Sequence, residues 1–364
     1  MTEQEALLVL NAVPGIGAIR IRKLMAYFGS ALEILQASVD ELVESGILFK
    51  ENADNIFYFS KDKFLQDEYN LIQRKGIIFL TAADNNYPAS LEGFDDSPVV
   101  LYIKGDPECL NQRSVALVGS RAASYYGIKS AKTFAQAFSR AGLLVVSGLA
   151  RGIDTASHQG CLEIGAKTIA VIGCGFSHMY PRENHSLMER ISQNGAVISE
   201  FAFNMAPLKQ NFPWRNRIIS ALSLATVVIE AGTKSGALIT ADYALAQNKD
   251  VFVLPSNIDT ETALGSNQLI QDGAKVALNP DDVLTQIKED YKPLRSKGSK
   301  QVLLLSDEQA RVYPHITYQP VHLDELAKQS GLNISSLMNI TLSLELKRVI
   351  RQLPGQYYIR IENA

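Results

Sequence analysis

The sequence predicts an α/β protein: a Rossmann-like, doubly wound, mostly parallel sheet, with a helical module before it and a winged helix after it. The first observation is a series of apolar runs: Ser114–Gly119, Leu143–Ser147, Thr168–Gly173, Ala196–Ser199, Ala225–Glu230 and Asp250–Pro255. Nearly continuous Val, Ile and Leu imply strands buried on both faces, hence a parallel sheet. The second is the amphipathic, helix-length stretches between them, such as Ile128–Ala141 and Ala237–Gln247. Right-handed crossovers then wind helices over both faces and place ligands at the carboxyl ends of the strands. The third is a helical period at both ends of the chain.

Residues 1–65 form the predicted helical module. Leu7, Leu8, Leu10 and Val13, then Ile19, Ile21, Leu24 and Met25, keep helical spacing on either side of Pro14-Gly15-Ile16-Gly17. Such a turn resembles a helix-hairpin-helix or SAM-like element, whose amides can face a phosphate. The only nearby cations are Arg20, Arg22 and Lys23, so a protein-contact role is the alternative. Residues 66–288 form the central domain. A piece around 76–105 adds edge strands through Gly76–Thr81 and Val99–Lys104. Residues 289–300 have linker composition.

Residues 301–364 read as a winged helix: Leu323–Lys328 helical, Asn333 capping a helix over Ser335–Lys347, then a hairpin through Pro354-Gly355 to Tyr357–Ile361. This segment carries six basic and six acidic residues, so a protein-contact or weak DNA role is favoured over sequence reading of DNA.

Bulk composition narrows the function. The 364 residues carry a net charge of −3, which excludes coating nucleic acid through overall charge. Cys109, Cys161 and Cys174 are widely spaced, with no disulfide or zinc pattern, as expected in a cytoplasmic protein. No apolar stretch suggests a membrane span, and the N-terminus does not read as a signal peptide.

The chemistry concentrates at strand ends. Asn211–Ser220 packs Phe212, Trp214, Arg215, Asn216 and Arg217 together, with Lys209 just upstream. It reads as a basic-aromatic segment at a strand edge. Guanidinium forks suit phosphate oxygens, and aromatic faces suit unstacked bases. Gly119-Ser120-Arg121 follows the first central strand, with Ser120 as a candidate helix cap. Ser147–Asp154 puts Arg151 between Gly148 and Gly152. Gly173-Cys174-Gly175, Glu230–Gly236 with Lys234, and Leu264–Asn267 supply further polar turns. Converging, they would make a pocket of amides and cations for a phosphate plus a base. A Ser147/Asp154/His158 triad is disfavoured, because Asp and His on adjacent turns of one helix cannot bracket the imidazole properly. No third glycine stands at dinucleotide spacing and no G-x-x-x-x-G-K-[ST] occurs, so neither a nicotinamide cofactor nor an ATPase is expected; the expected cofactor set is none.

Five stretches together resemble the DNA-processing protein A (DprA/Smf) family: Ser114–Arg121; Ser147–His158; Ile169–Gly175 with Tyr180-Pro181 and Asn184; Phe212–Arg217; and Glu230-Ala231 with Ser235–Ala241. The resemblance extends to the N-terminal helices and to Leu323–Ala327 and Leu344–Arg348. It implies a cytoplasmic, non-enzymatic, homodimeric single-stranded DNA binder. Such a protein protects incoming strands in natural transformation and loads the RecA recombinase onto them. It places Arg121, Gly175, Lys209 and Phe212 on the DNA pocket. Gly119, Ser120, Arg151, Arg215, Asn216, Arg217 and Lys234 complete the candidate set, with Arg215 and Arg217 alternatively bracing the pocket against Glu230. Pro255-Ser256 and Gly265-Ser266-Asn267 depart from the family pattern. Two rival readings remain: a nucleotide-cleaving enzyme like the LOG proteins, whose Pro-Gly-Gly loop is missing here, and an adaptor acting through the winged helix.

Overall fold

The computed structural model describes residues 1–287, 305–347 and 349–361; the expected linker at 289–300 lies outside them. The first 74 residues hold six helices: α1 Glu3–Ala12, α2 Ala18–Phe28, α3 Ala31–Gln36, α4 Val39–Glu44, α5 Lys50–Phe57 and α6 Lys61–Arg74. Helix α6 runs past residue 65, the expected end of the module. The reason is packing. Leu65 and Ile72 of α6 join a core that also takes in Leu7, Leu10, Ile21 and Tyr102. Gly15 between α1 and α2 takes φ +78°, a value that glycine adopts without steric cost.

Two antiparallel edge strands follow, β1 Ile77–Thr81 and β2 Val100–Gly105. The central α/β part runs β3 Ser114–Val118, α7 Tyr125–Arg140, β4 Leu144–Ser147, α8 Ile153–Glu163, β5 Thr168–Val171, α9 His185–Asn194 and β6 Ala196–Ser199. It continues through α10 Asn211–Leu222, β7 Ala225–Val228, α11 Gly236–Ala246, β8 Asp250–Val253, α12 Leu264–Gln271, β9 Lys275–Val276 and α13 Pro280–Ile287. The sheet order is β1-β2-β6-β5-β4-β3-β7-β8-β9, parallel from β6 to β9. Ala116 of β3 stands opposite Val146 of β4 on one side and Thr226 of β7 on the other. The winding therefore reverses at β3, which is the switch point of the sheet.

Alternation along the strands serves two layers. Ala116, Val146, Ile169 and Val228 pack with Ile218 and Ile219 of α10 and Ala241 of α11. Ala170 and Val197 pack with Leu187 and Ile191 of α9 on the other face. Each fully buried aliphatic side chain contributes about 1.5–3 kcal/mol. Ile218 and Ile219 are 0% and 1% exposed, so they hold α10 firmly under the sheet.

The C-terminal unit is separate: α14 Asp307–Val312, β10 Val321–His322, α15 Leu323–Ser330, α16 Ile334–Leu346, β11 Ile350–Leu353 and β12 Tyr357–Arg360. Its sheet order is β10-β12-β11, and Asn333 caps α16 by accepting from the Ser336 amide at 2.8 Å. This is a winged helix with one helix, α14, that the sequence pattern did not reveal. Among the described residues no helix is long and apolar enough to cross a membrane.

Candidate nucleic-acid interface

The run at 211–220 forms helix α10, not an irregular segment at a strand edge. Pro213 sits in its first turn, where a missing amide costs nothing. The mixed basic and apolar spacing obscured the helical period, because one face of α10 buries cations instead of aliphatics. Arg217 is 1% exposed. Its Nη1 and Nη2 donate to Glu200 Oε1 and Oε2 at 2.7 and 2.6 Å, and its Nε donates to the Asp96 carbonyl at 2.8 Å. The guanidinium also lies 4.1 Å from the Trp214 ring centroid. Arg217 therefore cannot reach DNA, and its brace is Glu200 rather than Glu230. The Glu230 carboxylate instead lies where a Cβ on Gly127 of α7 would go.

Arg215 also points inward. It is 4% exposed, and Nη1 donates to the Gly148 carbonyl at 2.8 Å. Asp154 stands on the other side of Gly148, accepting from the Gly148 and Ala150 amides at 3.2 and 3.3 Å. A Cβ on Gly148 would lie 2.5 Å from Arg215 Nη2 and 2.7 Å from Asp154 Oδ2, so only glycine fits there. Burial lowers the Arg215 pKa to about 10 against the favourable field of Asp154. Burial likewise raises that of Asp154 against the field of Arg215.

A cavity of about 730 Å³ opens at the carboxyl ends of β3, β4 and β7. Gly119, Ser120 and Arg121 line one wall, Phe212, Arg215 and Asn216 a second, and Lys234 with its loop a third. Arg121 is exposed, and its guanidinium lies 5.7 Å from the centroid of the half-buried Phe212 ring. The Tyr180 ring lies 5.4 Å from the same ring at 56°. A smaller adjoining chamber of about 270 Å³ brings in Arg151, Tyr180 and Pro181 beside Phe212. Arg151 is half exposed and paired with Glu183. That pairing raises the Arg151 pKa and lowers that of Glu183.

The expected site residues thus divide. Gly119, Ser120, Arg121, Phe212, Arg215, Asn216 and Lys234 share one cavity, and Arg151 joins through the side chamber. Asn216 serves structure as well: its Nδ2 donates to the Gly236 carbonyl at 3.0 Å. Ser120 does not cap a helix; its Oγ accepts from the Ala122 amide at 3.2 Å and closes the turn. Lys209 is exposed two residues before α10 and does not line the cavity. Gly175 does not line it either. Its missing side chain makes room for the carbonyls of Ala202 and Phe203. Trp214 is taken up by Arg217. The polar turn expected at Leu264–Asn267 is the start of α12, where Ser266 and Ala231 exchange hydrogen bonds.

The nucleophilic triad does not form. Ser147 Oγ donates to the Leu117 carbonyl at 2.7 Å, and His158 Nδ1 pairs with Thr168 Oγ1 at 2.9 Å. Burial pushes the His158 pKa down to about 3. Sequence reasoning passed over Tyr180 as a ring neighbour of Phe212 and Glu200 as the counter-ion under α10. A lone Glu after an apolar strand carries no signal of either role.

Taken together, fold and site define a Rossmann-like α/β protein with a phosphate-compatible crevice at its switch point and a separate winged helix. The family described as DNA recombination-mediator protein A matches residues 78–288, and the DprA winged helix domain matches 301–356. The chain belongs to the DprA/Smf family. It is 31% identical to protein Smf of Synechocystis over 99% of both chains, and 31% identical to protein Smf of Escherichia coli over 90% of this chain and 89% of that one. It is 43% identical to DNA processing protein DprA of Streptococcus pneumoniae over 56% of this chain and 72% of that one. The X-ray structure of that protein superposes with TM-score 0.69 at 34% identity, covering 79% of this chain and 99% of that one. DNA processing protein A of Helicobacter pylori, described for its single-stranded DNA binding mode, superposes with TM-score 0.53 at 31% identity, covering 59% and 97%.

Proposed function

We propose that the switch-point crevice holds single-stranded DNA, and that the protein is a cytoplasmic, homodimeric, non-enzymatic mediator. In this reading it protects incoming strands and loads the RecA recombinase onto them in transformation and recombination. One observation carries it: the half-buried Phe212 ring stands at the cavity mouth with the Arg121 guanidinium 5.7 Å away. A ring beside a cation offers a stacking surface and a phosphate partner one nucleotide step apart. Lys234 adds a second exposed cation at the cavity, and Lys209 is a further exposed cation just before α10.

The test is titration of labelled oligo-dT against duplex of equal length at two salt concentrations. Single strands bind more tightly, affinity falls with salt, and oligo-dT, oligo-dC and mixed sequence differ little. Equal affinity for duplex overturns the reading. Recombinase loading is measured separately, as the rate of RecA filament growth on strands already coated by a single-strand binding protein. No acceleration removes that part.

A further inference from the structure

We infer that the N-terminal helical module is a positioning element for the crevice. Its Asn11, Arg22 and Glu68 hold the backbone segments that brace α10, and so set where Phe212 stands. The inference deepens the proposed single-strand binding and takes its affinity readout from that reading.

Three module side chains reach out of the helical layer, each to a different backbone group. Asn11 Nδ2 of α1 donates to the Glu200 carbonyl at 2.8 Å. Arg22 Nε of α2 donates to the Ser97 carbonyl at 3.0 Å. Glu68 of α6 is 3% exposed, and its Oε1 accepts from the Phe203 amide at 2.7 Å. These groups lie on the two segments that hold Arg217. Glu200 supplies its carboxylate, and Asp96 supplies a carbonyl one residue before Ser97. Three successive carbonyls, Asp96, Ser97 and Pro98, thus accept from α10, from α2 and from the Tyr87 hydroxyl.

How α10 is anchored decides why this brace matters to Phe212. The buried aliphatic side chains of α10 begin at Ile218. Its first half, Asn211 to Arg217, buries no aliphatic side chain and is tied down by polar contacts. Arg215 holds the Gly148 carbonyl, Asn216 the Gly236 carbonyl, and Arg217 both Glu200 and Asp96. Hydrogen bonds are directional, so this half follows its partners more closely than loosely interchangeable apolar packing would allow. Glu200 and Asp96 both belong to segments that the module holds. A shift in either passes to Arg217 and, within two helical turns, to Phe212.

The experiment uses the full chain and four variants. Asn11→Ala and Glu68→Leu each remove one module contact, while Glu68→Gln keeps an oxygen acceptor for the Phe203 amide. Ile56→Val trims the module core in α5, where Ile56 is 1% exposed, at a stability cost like that of a lost hydrogen bond. The readouts are oligo-dT affinity at two salt concentrations, emission of Trp214, the one tryptophan of the chain, and amide exchange over residues 211–217. Asn11→Ala and Glu68→Leu weaken oligo-dT binding about threefold or more, in line with one lost hydrogen bond. Their salt slope stays that of the wild type, because no phosphate contact is lost. Both shift the Trp214 emission and speed exchange in the first half of α10. Glu68→Gln keeps wild-type values throughout, and Ile56→Val lowers only the unfolding midpoint. The inference is overturned if Asn11→Ala and Glu68→Leu bind oligo-dT as the wild type does, or if Glu68→Gln loses as much as Glu68→Leu. It is equally overturned if Ile56→Val weakens binding as much as they do, since general stability then explains the loss. A lowered salt slope in Asn11→Ala or Glu68→Leu would overturn it in favour of direct DNA contact by the module. Should the wild type bind no strand at all, the proposed DNA role fails; Trp214 emission and amide exchange, which need no DNA, still decide whether the module sets α10.

Discussion

Replacing Glu200 by glutamine tests whether a buried ion pair holds helix α10, and with it Phe212, in place. Glu200 is 6% exposed and Arg217 1% exposed, with both carboxylate oxygens engaged at 2.6–2.7 Å. The glutamine amide turns one acceptor into a donor facing a donor. Arg217 keeps the Asp96 and Trp214 carbonyls at 2.8 and 3.0 Å and the partly exposed Asp96 carboxylate 3.8 Å from Nε, but loses its buried counter-charge. Breaking one partner of a buried pair costs about 3–5 kcal/mol, because the remaining charge stays desolvated. The double change Glu200→Leu with Arg217→Met removes both charges and recovers most of that loss. The chain has one tryptophan, and Trp214 lies against the Arg217 guanidinium. Urea unfolding followed by tryptophan fluorescence therefore reports on this brace without interference from the winged helix. A loss below about 1 kcal/mol in Glu200→Gln, or a double variant worse than the single one, refutes the account.

Other outcomes follow from the same geometry. Phe212→Ala weakens oligo-dT binding by about 1–3 kcal/mol through loss of one stack, with an unfolding midpoint that moves little because the ring is only half buried. Fluorescence-anisotropy titration checks it, and unchanged affinity removes the stacking platform. Arg121→Ala lowers the slope of log affinity against log salt by about one contact's worth, and Lys209→Ala does so only if the strand leaves the cavity along α10. Normal slopes in both would place the backbone path elsewhere. The buried His158 is neutral in the folded protein, with its pKa pushed to about 3 by burial. The unfolded chain takes up that proton below about pH 6.5, so the folded state loses about 1.4 kcal/mol per pH unit from there down toward pH 3. His158→Gln removes this dependence, which urea titrations at pH 7, 5 and 4 measure. An identical acid response in the variant disproves the assignment.

The sequence alone determined the alternation of strands and helices, the parallel sheet and the winged helix, because those follow from local apolar periodicity. It also picked out the strand-end turns, since glycines beside Ser120–Arg121 and Lys234 have no use inside a strand. Only the tertiary structure separated the cations by role. Arg215 and Arg217 stand two residues apart on α10, and nothing in their spacing tells which pairs with Glu200 and which lines the cavity. That division depends on partners 17 and 67 positions away, Glu200 and Gly148, brought close by the crossover from β6 to β7. Likewise Gly175 is a glycine because the carbonyls of Ala202 and Phe203 press against it. Steric demands of that kind arise only once the chain has folded back on itself.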